Sequence, residues 1–376
     1  MNVCTTIDYH TAGEPFRIVA EPPVPLPGVT VAEKRANAIT DDESDGLRRL
    51  LCFEPRGHAD MYGGFITEPD DDGADFGVLF WHKDGFSTAC GHGTMALGAW
   101  AVSSGLVTLD PSGITEVTID VPSGRVRAQV HTDDEGRATS VDFVNVPSRL
   151  VGTGITVPTS RGPVSVALAW GGALYAVVDG TQLSAAPAGG SKTDKAEAEG
   201  AGGSSDGSAS CGGGVVRPEN LTELIGLGRE IKAGLVDHPL TVHPDDERLS
   251  GVYGTIIVDR LGTLPTGELH QRNVTVFADG QVDRSPCGSG TAARVAALHA
   301  TGELAPGQTL VHDSIVGTRF HARVLEEVSS AGDGAAGDRS GLDSVIPVVT
   351  GTAHKVAACT FEIDPLDDLV PGFVLR

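Results

Sequence analysis

The feature that most constrains this chain is a five-residue pattern that occurs twice. Cys90–Thr94 reads CGHGT and Cys287–Thr291 reads CGSGT, so the two copies lie 197 residues apart in a chain of 376 residues. Each copy precedes an apolar run typical of a helix, Met95–Val102 in the first case and Ala292–Leu304 in the second. A chain of this length is sufficient for two domains. The repeat therefore predicts two similar lobes that face each other, with one cysteine in each.

Composition excludes several classes of partner. Lys and Arg number 27 against 50 Asp and Glu, which gives a formal net charge of −23 at pH 7. A chain this acidic repels phosphate backbones and anionic lipid surfaces, so we predict neither a nucleic-acid partner nor a membrane partner. The sequence contains no stretch of 18 apolar residues, and its first residues lack the basic and apolar regions of a secretory signal. We therefore expect a cytoplasmic protein.

The chemistry-bearing side chains show no metal or disulfide framework. The six cysteines are widely spaced and include no CxxC pair, so we expect reduced thiols. His238, His243 and His270 lack metal-ligand spacing, and we predict no metal site. Gly288–Ala293 is similar to the dinucleotide-binding pattern GxGxxA, but Asp283–Pro286 separates it from the preceding strand. We therefore predict no nucleotide cofactor.

A cysteine at the start of a helix has distinctive chemistry. The unpaired backbone N–H groups and the helix dipole stabilise a thiolate there. The same N–H groups bind anions such as a carboxylate, and neighbouring glycines let a ligand approach the backbone closely. Two such turns face to face would hold a small carboxylate between two thiols. One thiolate would then remove the proton from the adjacent carbon while the opposite thiol returns a proton, which inverts the stereocentre without a cofactor.

Four motifs resemble those of the proline racemase family, which includes the hydroxyproline 2-epimerases and the trans-3-hydroxy-L-proline dehydratases. Together they span nearly the whole chain apart from two insertions. The motifs are DYHTAGEPFRIV at 8–19, FEPRGHADMYG at 53–63, CGHG at 90–93 and FADGQVDRSPCG at 277–288.

The resemblance implies an α+β fold of two similar lobes like those of diaminopimelate epimerase. Each lobe would be a curved, mostly antiparallel sheet around a central helix, with the active site in the cleft between lobes. We expect residues 1–150 to form the N-terminal lobe, completed by residues 357–376, and residues 151–356 to form the C-terminal lobe. Two segments of the C-terminal lobe are poor in apolar residues, and we expect a disordered insertion at Ser184–Gly214 and a loop at Ser329–Ser344. The family also implies a homodimer.

Carried onto this sequence, the family pattern implies a two-thiol site for a small imino acid. Cys90 and Cys287 would be the acid/base pair on the two faces of the substrate. Backbone N–H groups of four residues would hold the substrate carboxylate, namely Gly91, His92, Gly288 and Ser289. Asp283 would accept hydrogen bonds from the ring ammonium, with the His92 side chain nearby, and Tyr62 and Phe277 would line the ring pocket. Both charges of a zwitterion are satisfied in this arrangement without a metal or a cofactor.

The identity of residue 287 bears on the reaction. The resemblance implies Thr at this position in the dehydratase branch, whereas Cys287 provides a thiol on both faces of the α-carbon. This favours inversion by a 4-hydroxyproline 2-epimerase or a proline racemase. The sequence around Tyr62, Gly254–Ile256 and Ala278–Gln281 is more similar to the dehydratases and the eukaryotic-type racemases than to the typical hydroxyproline epimerases, so a trans-3-hydroxy-L-proline dehydratase is the alternative. A non-catalytic protein that binds imino acids is a third possibility. Independently of the reaction, Tyr62 and Phe277 could be ordinary core aromatics.

Overall fold

A computed structural model of the chain describes residues 3–183, 214–328 and 343–375. These residues form eighteen β-strands and five α-helices. The helices are α1 (Val31–Ala38), α2 (Asp42–Cys52), α3 (Gly91–Ser103), α4 (Leu221–Ala233) and α5 (Gly288–Ala300). None of these helices has the length and apolar character needed to cross a membrane.

Nine strands form the first half of the fold. They are β1 (Val3–Thr11), β2 (Glu14–Val19), β3 (Tyr62–Thr67), β4 (Phe76–His82), β5 (Gly85–Phe86), β6 (Ile114–Val121), β7 (Gly124–Thr132), β8 (Ala138–Val144) and β18 (Ala353–Glu362). From one edge, β18, β1 and β2 pair antiparallel, and β2 then pairs parallel with β3. Next, β3 pairs antiparallel with β4, and β4 pairs parallel with β6. Finally β6, β7 and β8 pair antiparallel, and the short β5 extends from β4.

The other nine strands form the second half. They are β9 (Arg149–Thr159), β10 (Gly162–Trp170), β11 (Leu174–Asp179), β12 (Val252–Thr263), β13 (Leu269–Phe277), β14 (Gln281–Asp283), β15 (Leu310–Ser314), β16 (Arg319–Val328) and β17 (Ser344–Gly351). Here β9, β10 and β11 pair antiparallel, β11 pairs parallel with β12, and β12 pairs antiparallel with β13. Then β13 pairs parallel with β15, and β15, β16 and β17 pair antiparallel, while β14 extends from β13.

The two halves therefore repeat one order of strand pairing. Both begin with antiparallel strands and contain two parallel pairs separated by one antiparallel pair. Both also place a short strand and then a helix between the strands of the second parallel pair. This helix is α3 in the first half and α5 in the second. An antiparallel pairing of β8 with β17 joins the halves. The repeat in the sequence thus corresponds to a repeat in the fold.

The helix that each half encloses is almost entirely buried. Twelve of the thirteen residues of α3 are buried, and the helix carries no Asp, Glu, Lys or Arg. A helix that is apolar on all faces is stable only inside a protein. In the first half, α3 contacts β1, β2, β6, β7, β8 and β18, and in the second half α5 contacts β9, β10, β11, β16 and β17. Each sheet therefore curves around its helix.

Strand β4 shows why some strands are apolar along their whole length. All seven of its residues are buried. Phe76, Val78 and Phe80 face the core that contains α3, while Leu79 and Trp81 face a second core with residues of α1 and α2. Because successive side chains of a strand point to opposite faces, a strand covered on both sides loses the polar alternation of a surface strand.

The predicted lobe boundaries at 150/151 and 356/357 stay predictions. In the structure β18 begins at Ala353 and pairs with β1 from Val3 to Thr11, so the end of the chain returns to its beginning. The insertion predicted at 184–214 and the loop predicted at 329–344 lie outside the described residues, apart from Gly214 and residues 343–344. Cys211 falls in the first of these segments.

Candidate active site

Both cysteines of the repeated pattern stand directly before a helix. Cys90 is the N-cap residue of α3, and Cys287 is the N-cap residue of α5. The helices begin earlier than the sequence predicts, at Gly91 and Gly288. Glycine has a poor helix propensity, but burial of these helices outweighs it. The four N–H groups at the start of a helix have no backbone acceptor within the helix, so each thiol lies beside donors that can bind a side chain or a ligand.

The starts of the two helices touch each other. A Cβ atom added to Gly91 would lie 2.7 Å from the Cα atom of Gly288, and one added to Gly288 would lie 2.6 Å from the Cα atom of Gly91. Such distances are too short for carbon atoms that are not bonded. Glycine is therefore required at both positions, and the structure brings together the four residues predicted to bind a carboxylate, namely Gly91, His92, Gly288 and Ser289.

Cys90 has a backbone donor and an imidazole beside its sulfur. The Gly93 N–H donates to the Cys90 Sγ atom at 3.3 Å, and the His92 Nδ1 atom lies 3.5 Å from the same sulfur. Burial lowers the pKa of His92 to about 3, so the imidazole is neutral. The Thr11 hydroxyl donates to the His92 carbonyl oxygen at 2.9 Å, which fixes this turn to β1.

Cys287 has a different backbone and a different partner. Its φ angle is +65°, in the left-handed region that residues other than glycine seldom adopt. Its backbone N–H donates to the Ser285 hydroxyl at 3.0 Å, and its sulfur lies 3.7 Å from the Tyr175 hydroxyl oxygen. The Tyr175 hydroxyl also lies 2.7 Å from the Ser289 Oγ atom.

The surroundings of both thiols favour their protonated form. Burial raises the pKa of the Cys90 thiol well above its ordinary value, and the negative charge of Asp283 adds to this effect. Burial and Asp283 also raise the pKa of Cys287. The sequence alone suggests the opposite, because a helix start favours a thiolate. Desolvation outweighs the helix here, because each cysteine is at most 5 % exposed.

Two buried carboxyl groups lie next to the thiols. Asp283, at the end of β14, accepts hydrogen bonds through Oδ1 from the N–H and the hydroxyl of Ser285, and its Oδ2 atom lies 4.0 Å from His92 Nδ1. Burial raises the pKa of Asp283 to about 6. Glu14 is fully buried, and its pKa is raised by burial and by the charge of Asp283. The backbone N–H of Arg284 donates to Glu14 at 2.8 Å.

Aromatic and hydroxyl groups form one wall of the site. The Tyr62 ring lies 5.0 Å from the His92 ring and 5.9 Å from the Phe277 ring, and Phe277 stacks on Tyr253 at 5.6 Å. The Tyr62 hydroxyl shares a hydrogen bond with the Ser87 hydroxyl and another, of 3.0 Å, with the Tyr253 hydroxyl. The structure thus places Tyr62 and Phe277 together beside the thiol turns.

A cavity of about 450 Å³ borders this wall. Tyr253 and Ser87 line it on the side of the site, and Arg35, Lys232 and Arg248 line it further out. Asp84 and Asp279 line the same cavity, and Arg248 forms an ion pair with Asp246, so positive and negative side chains are mixed there. Within the described residues, no group of three or more His, Cys, Asp or Glu side chains is arranged so that it could hold a metal ion.

Sequence reasoning missed Tyr175, Tyr253, Ser87 and Glu14. The first two belong to strands, and no motif marks them. A usable signal was their rarity: the chain has four tyrosines, and three of them have hydroxyl groups at this site. Tyrosine hydroxyls that are buried together need hydrogen-bonding partners, so clustered tyrosines in a chain poor in aromatics indicate a polar pocket.

With this geometry established, the chain can be compared with known proteins. The family model described as "Proline racemase" matches residues 6–198 and 209–374. A trans-3-hydroxy-L-proline dehydratase of Burkholderia ambifaria is 41 % identical over 99 % of this chain and 98 % of its own length. A 3-hydroxyproline 2-epimerase of Burkholderia multivorans is 40 % identical over the same shares of the two chains.

A solved structure gives the same result for the fold. A hydroxyproline epimerase from Agrobacterium vitis, with bound trans-4-OH-L-proline, superposes with a TM-score of 0.81 at 27 % identity and covers 100 % of this chain and 97 % of its own. These matches define a class of enzymes with a two-lobed α+β fold and mostly antiparallel sheets, and they confirm the predicted fold. The chain belongs to the proline racemase family.

Proposed function

We propose that this chain is an acid/base enzyme that inverts the α-carbon of a hydroxyproline, with 3-hydroxyproline as the preferred substrate. The observation that carries the proposal is the meeting of two helix starts, each with a thiol directly before it. A site with one thiol at each helix start has a proton donor or acceptor for both faces of a small carboxylate, as inversion requires.

The charges of the site match a zwitterionic imino acid. The N–H groups at the starts of α3 and α5 would bind the carboxylate, because both helix dipoles are positive there. The Asp283 Oδ2 atom would accept from the ring ammonium, since Oδ1 already accepts two hydrogen bonds from Ser285. An ammonium beside Asp283 also offsets the negative charge that raises the pKa of both thiols. Substrate binding would therefore favour the thiolate that the reaction needs.

The ring pocket supports a hydroxylated substrate. A substrate hydroxyl would find partners in the connected hydroxyl groups of Tyr62, Ser87 and Tyr253. Both Burkholderia relatives are named for 3-hydroxyproline, which supports a hydroxyl on C3 of the ring in the proposed substrate. Unsubstituted proline would leave these buried groups to pair among themselves.

Inversion would proceed by two proton transfers. One thiolate removes the α-proton and becomes a thiol, and the electron pair of the C–H bond is delocalised into the carboxylate. The opposite thiol then protonates the α-carbon on its other face and becomes a thiolate. The enzyme returns with the two thiols in exchanged protonation states, and the substrate keeps its atoms with one solvent-derived hydrogen. From trans-3-hydroxy-L-proline the product is cis-3-hydroxy-D-proline.

Dehydration is the second candidate, and the name of the Burkholderia ambifaria relative favours it. It begins with the same removal of the α-proton, after which the C3–O bond breaks and water leaves. In the trans isomer the α-proton and the 3-hydroxyl lie on the same face of the ring. Dehydration therefore needs acid/base chemistry on one face only, whereas Cys90 and Cys287 provide it on two.

Proton NMR in deuterated water tests the proposal. The purified protein is incubated with isomers of proline, 4-hydroxyproline and 3-hydroxyproline. We expect the α-proton signal of trans-3-hydroxy-L-proline to decline while signals of its deuterated C2 epimer appear. An aminobenzaldehyde assay follows pyrroline-2-carboxylate, the product of dehydration, in parallel.

Each other outcome has a distinct meaning. Steady formation of pyrroline-2-carboxylate without the epimer would contradict inversion and support the second candidate. Exchange with 4-hydroxyproline or proline but not with 3-hydroxyproline would contradict the substrate and leave the reaction standing. If no imino acid exchanges its α-proton although one raises the melting temperature, the protein is a binding protein and the proposal is wrong.

A further inference from the structure

The two thiols of the site have different side-chain neighbours. The Cys90 sulfur lies 3.5 Å from a ring nitrogen of His92, which follows it by two residues on α3. The Cys287 sulfur lies 3.7 Å from the hydroxyl of Tyr175, which comes from β11 and is separated by 112 residues. The Tyr175 hydroxyl continues to the Ser289 hydroxyl on α5 at 2.7 Å. Behind Cys287 there is thus a chain of two hydroxyl groups.

We propose that Tyr175 is a positioning residue for Cys287, and that its hydroxyl holds the sulfur in both of its protonation states. This inference rests on the proposed function only in taking Cys287 as a group that gains and loses a proton.

The two hydroxyl groups can follow such a change without losing a proton themselves. When Cys287 is a thiol, its S–H donates to the Tyr175 oxygen, and the Tyr175 hydroxyl donates to Ser289. When Cys287 is a thiolate, the Ser289 hydroxyl donates to Tyr175, and the Tyr175 hydroxyl donates to the sulfur. Only the two hydroxyl hydrogens rotate, because each oxygen can both donate and accept.

The surroundings of Cys287 make such a donor important. The titratable groups that face it are Asp283 from β14, Cys90 from the start of α3, Tyr62 from β3 and Tyr175 itself. Asp283 disfavours a thiolate, and burial does so more strongly. The Gly290 N–H and the Tyr175 hydroxyl act in the opposite direction and lower the pKa of Cys287. Tyr175 is itself fully buried, and burial raises its pKa, so it stays a neutral hydroxyl donor.

The test measures the two thiols separately in the full chain. Wild-type protein and the Tyr175→Phe variant are treated briefly with iodoacetamide across a range of pH, and the alkylation of each cysteine is quantified by mass spectrometry of its peptide. Tyr9→Phe is the matched control, because Tyr9 is also a buried tyrosine with a serine partner, Ser103 at 2.9 Å. The hydroxyl is the only group removed in either variant.

In Tyr175→Phe we expect the alkylation midpoint of Cys287 to rise by about one to two pH units, as the loss of a hydrogen bond to a charged group implies. The midpoint of Cys90 should stay unchanged, and Tyr9→Phe should move neither. An unchanged Cys287 midpoint would overturn the inference, and so would an equal rise at both cysteines, which indicates a general disturbance of the cleft.

A second variant keeps the test decisive if Tyr175→Phe does not fold. Ser289→Ala leaves Tyr175 in place but removes its partner, and the Cys287 midpoint should then rise by less than one pH unit. No rise in this variant would also overturn the inference. The alkylation readout does not need a substrate. Inactivity toward every imino acid would therefore contradict the proposed function, but it would not change the alkylation midpoints that test the role of Tyr175.

Discussion

The two cysteine turns share a sequence pattern and a place in the order of strand pairing, but they differ in backbone and in neighbours. Cys90 has an extended backbone with φ of −155°, and the Gly93 N–H caps its sulfur. Cys287 has φ of +65° and lies beside a tyrosine hydroxyl. Asp283 precedes Cys287 by four residues in the sequence, and its Oδ2 atom lies 4.0 Å from His92 in the other turn.

The contrast shows which properties of the two turns a repeated sequence pattern determines. The repeated pattern places each thiol before a buried helix and brings the helix starts together, because glycine at both first positions permits contact. Burial and Asp283 raise the pKa of both thiols, but the side chains that contact each sulfur, His92 at Cys90 and Tyr175 at Cys287, are not repeated. The two thiols are therefore equivalent in position but not in chemistry.

The largest expected effect comes from removing one thiol at a time. Cys90→Ala and Cys287→Ala should each reduce inversion about 10²- to 10⁴-fold, because each variant has no acid/base group on one face. Exchange of the α-proton without inversion should differ between the two variants. In each variant, only the epimer whose α-proton faces the remaining thiol should still exchange in deuterated water. Proton NMR with each epimer as the starting material measures both rates.

Cys359→Ala is the control, since Cys359 lies on β18 and is partly exposed. It should invert and exchange like the wild type. If both active-site variants lose exchange with the same epimer, the thiols do not serve opposite faces, and the proposed mechanism is wrong.

The second-largest effect on the rate of inversion is expected where the starts of α3 and α5 are in contact. Gly91→Ala adds a Cβ atom that would lie 2.7 Å from backbone atoms of Gly288 and Ser289, so the two turns must separate. Displacement of reacting groups by about 1 Å can reduce a rate on the order of 100-fold. We expect a loss of that size in the rate of inversion and a lower melting temperature, measured by NMR and by thermal unfolding.

Gly46→Ala is the matched substitution in α2, where an added Cβ atom meets nothing within 4 Å. It should leave activity unchanged and raise the melting temperature slightly, because alanine favours a helix over glycine by about 1 kcal/mol. Equal activity of the Gly91 and Gly46 variants would show that contact of the helix starts is not needed.

The sequence was sufficient to predict the parts of the site whose residues lie close together along the chain. Each Cys-Gly-x-Gly-Thr turn predicts a helix start, and the two copies predict a repeated fold. The predicted starts of α3 and α5 were too late because the prediction followed helix propensity. Helix propensity disfavours the glycines at 91, 93, 288 and 290. The rarity of tyrosine was a signal for Tyr175 and Tyr253, but not for their positions, since the pairing of β11 with β12 brings them to the site across long sequence distances. The pKa of each thiol depends on burial, which a sequence pattern does not specify.

The next effect is on the affinity for an imino acid, and it comes from Asp283, the carboxylate that precedes the Cys287 turn. In the proposed binding mode the ionised carboxylate of Asp283 accepts from the ammonium, and its pKa is raised to about 6. As the pH falls below about 6, the carboxyl takes up a proton and the binding of an imino acid should weaken. In Asp283→Asn, binding should be about 10- to 100-fold weaker at pH 8 and nearly independent of pH between 5 and 8. Isothermal titration with the hydroxyproline that exchanges in the NMR assay measures both.

The free energy of unfolding should depend on Asp283 in the opposite sense. The folded-state pKa of Asp283, about 6, lies above its ordinary value of 3.8, so ionisation of this group destabilises the folded protein at neutral pH. This penalty decreases as the pH falls below about 6 and is gone below the ordinary value. Asp283→Asn should therefore raise the melting temperature at pH 8. A variant that binds more weakly and also unfolds at a lower temperature would contradict this account and indicate a structural role.

The smallest expected effect is a change in substrate preference, which shows on which side of the site the substrate hydroxyl is bound. Tyr62 lies against His92 in the Cys90 turn, whereas Tyr175 lies beside Cys287. Tyr62→Phe removes one neutral hydroxyl, which is worth about 0.5–1.5 kcal/mol. The kcat/KM for the hydroxyproline should fall roughly 3- to 10-fold relative to that for proline, while thiol alkylation stays unchanged. Tyr9→Phe should leave the ratio as it is. If the ratio changes in Tyr175→Phe instead, the ring hydroxyl is bound on the Cys287 side, and Tyr175 both positions the thiol and selects the substrate.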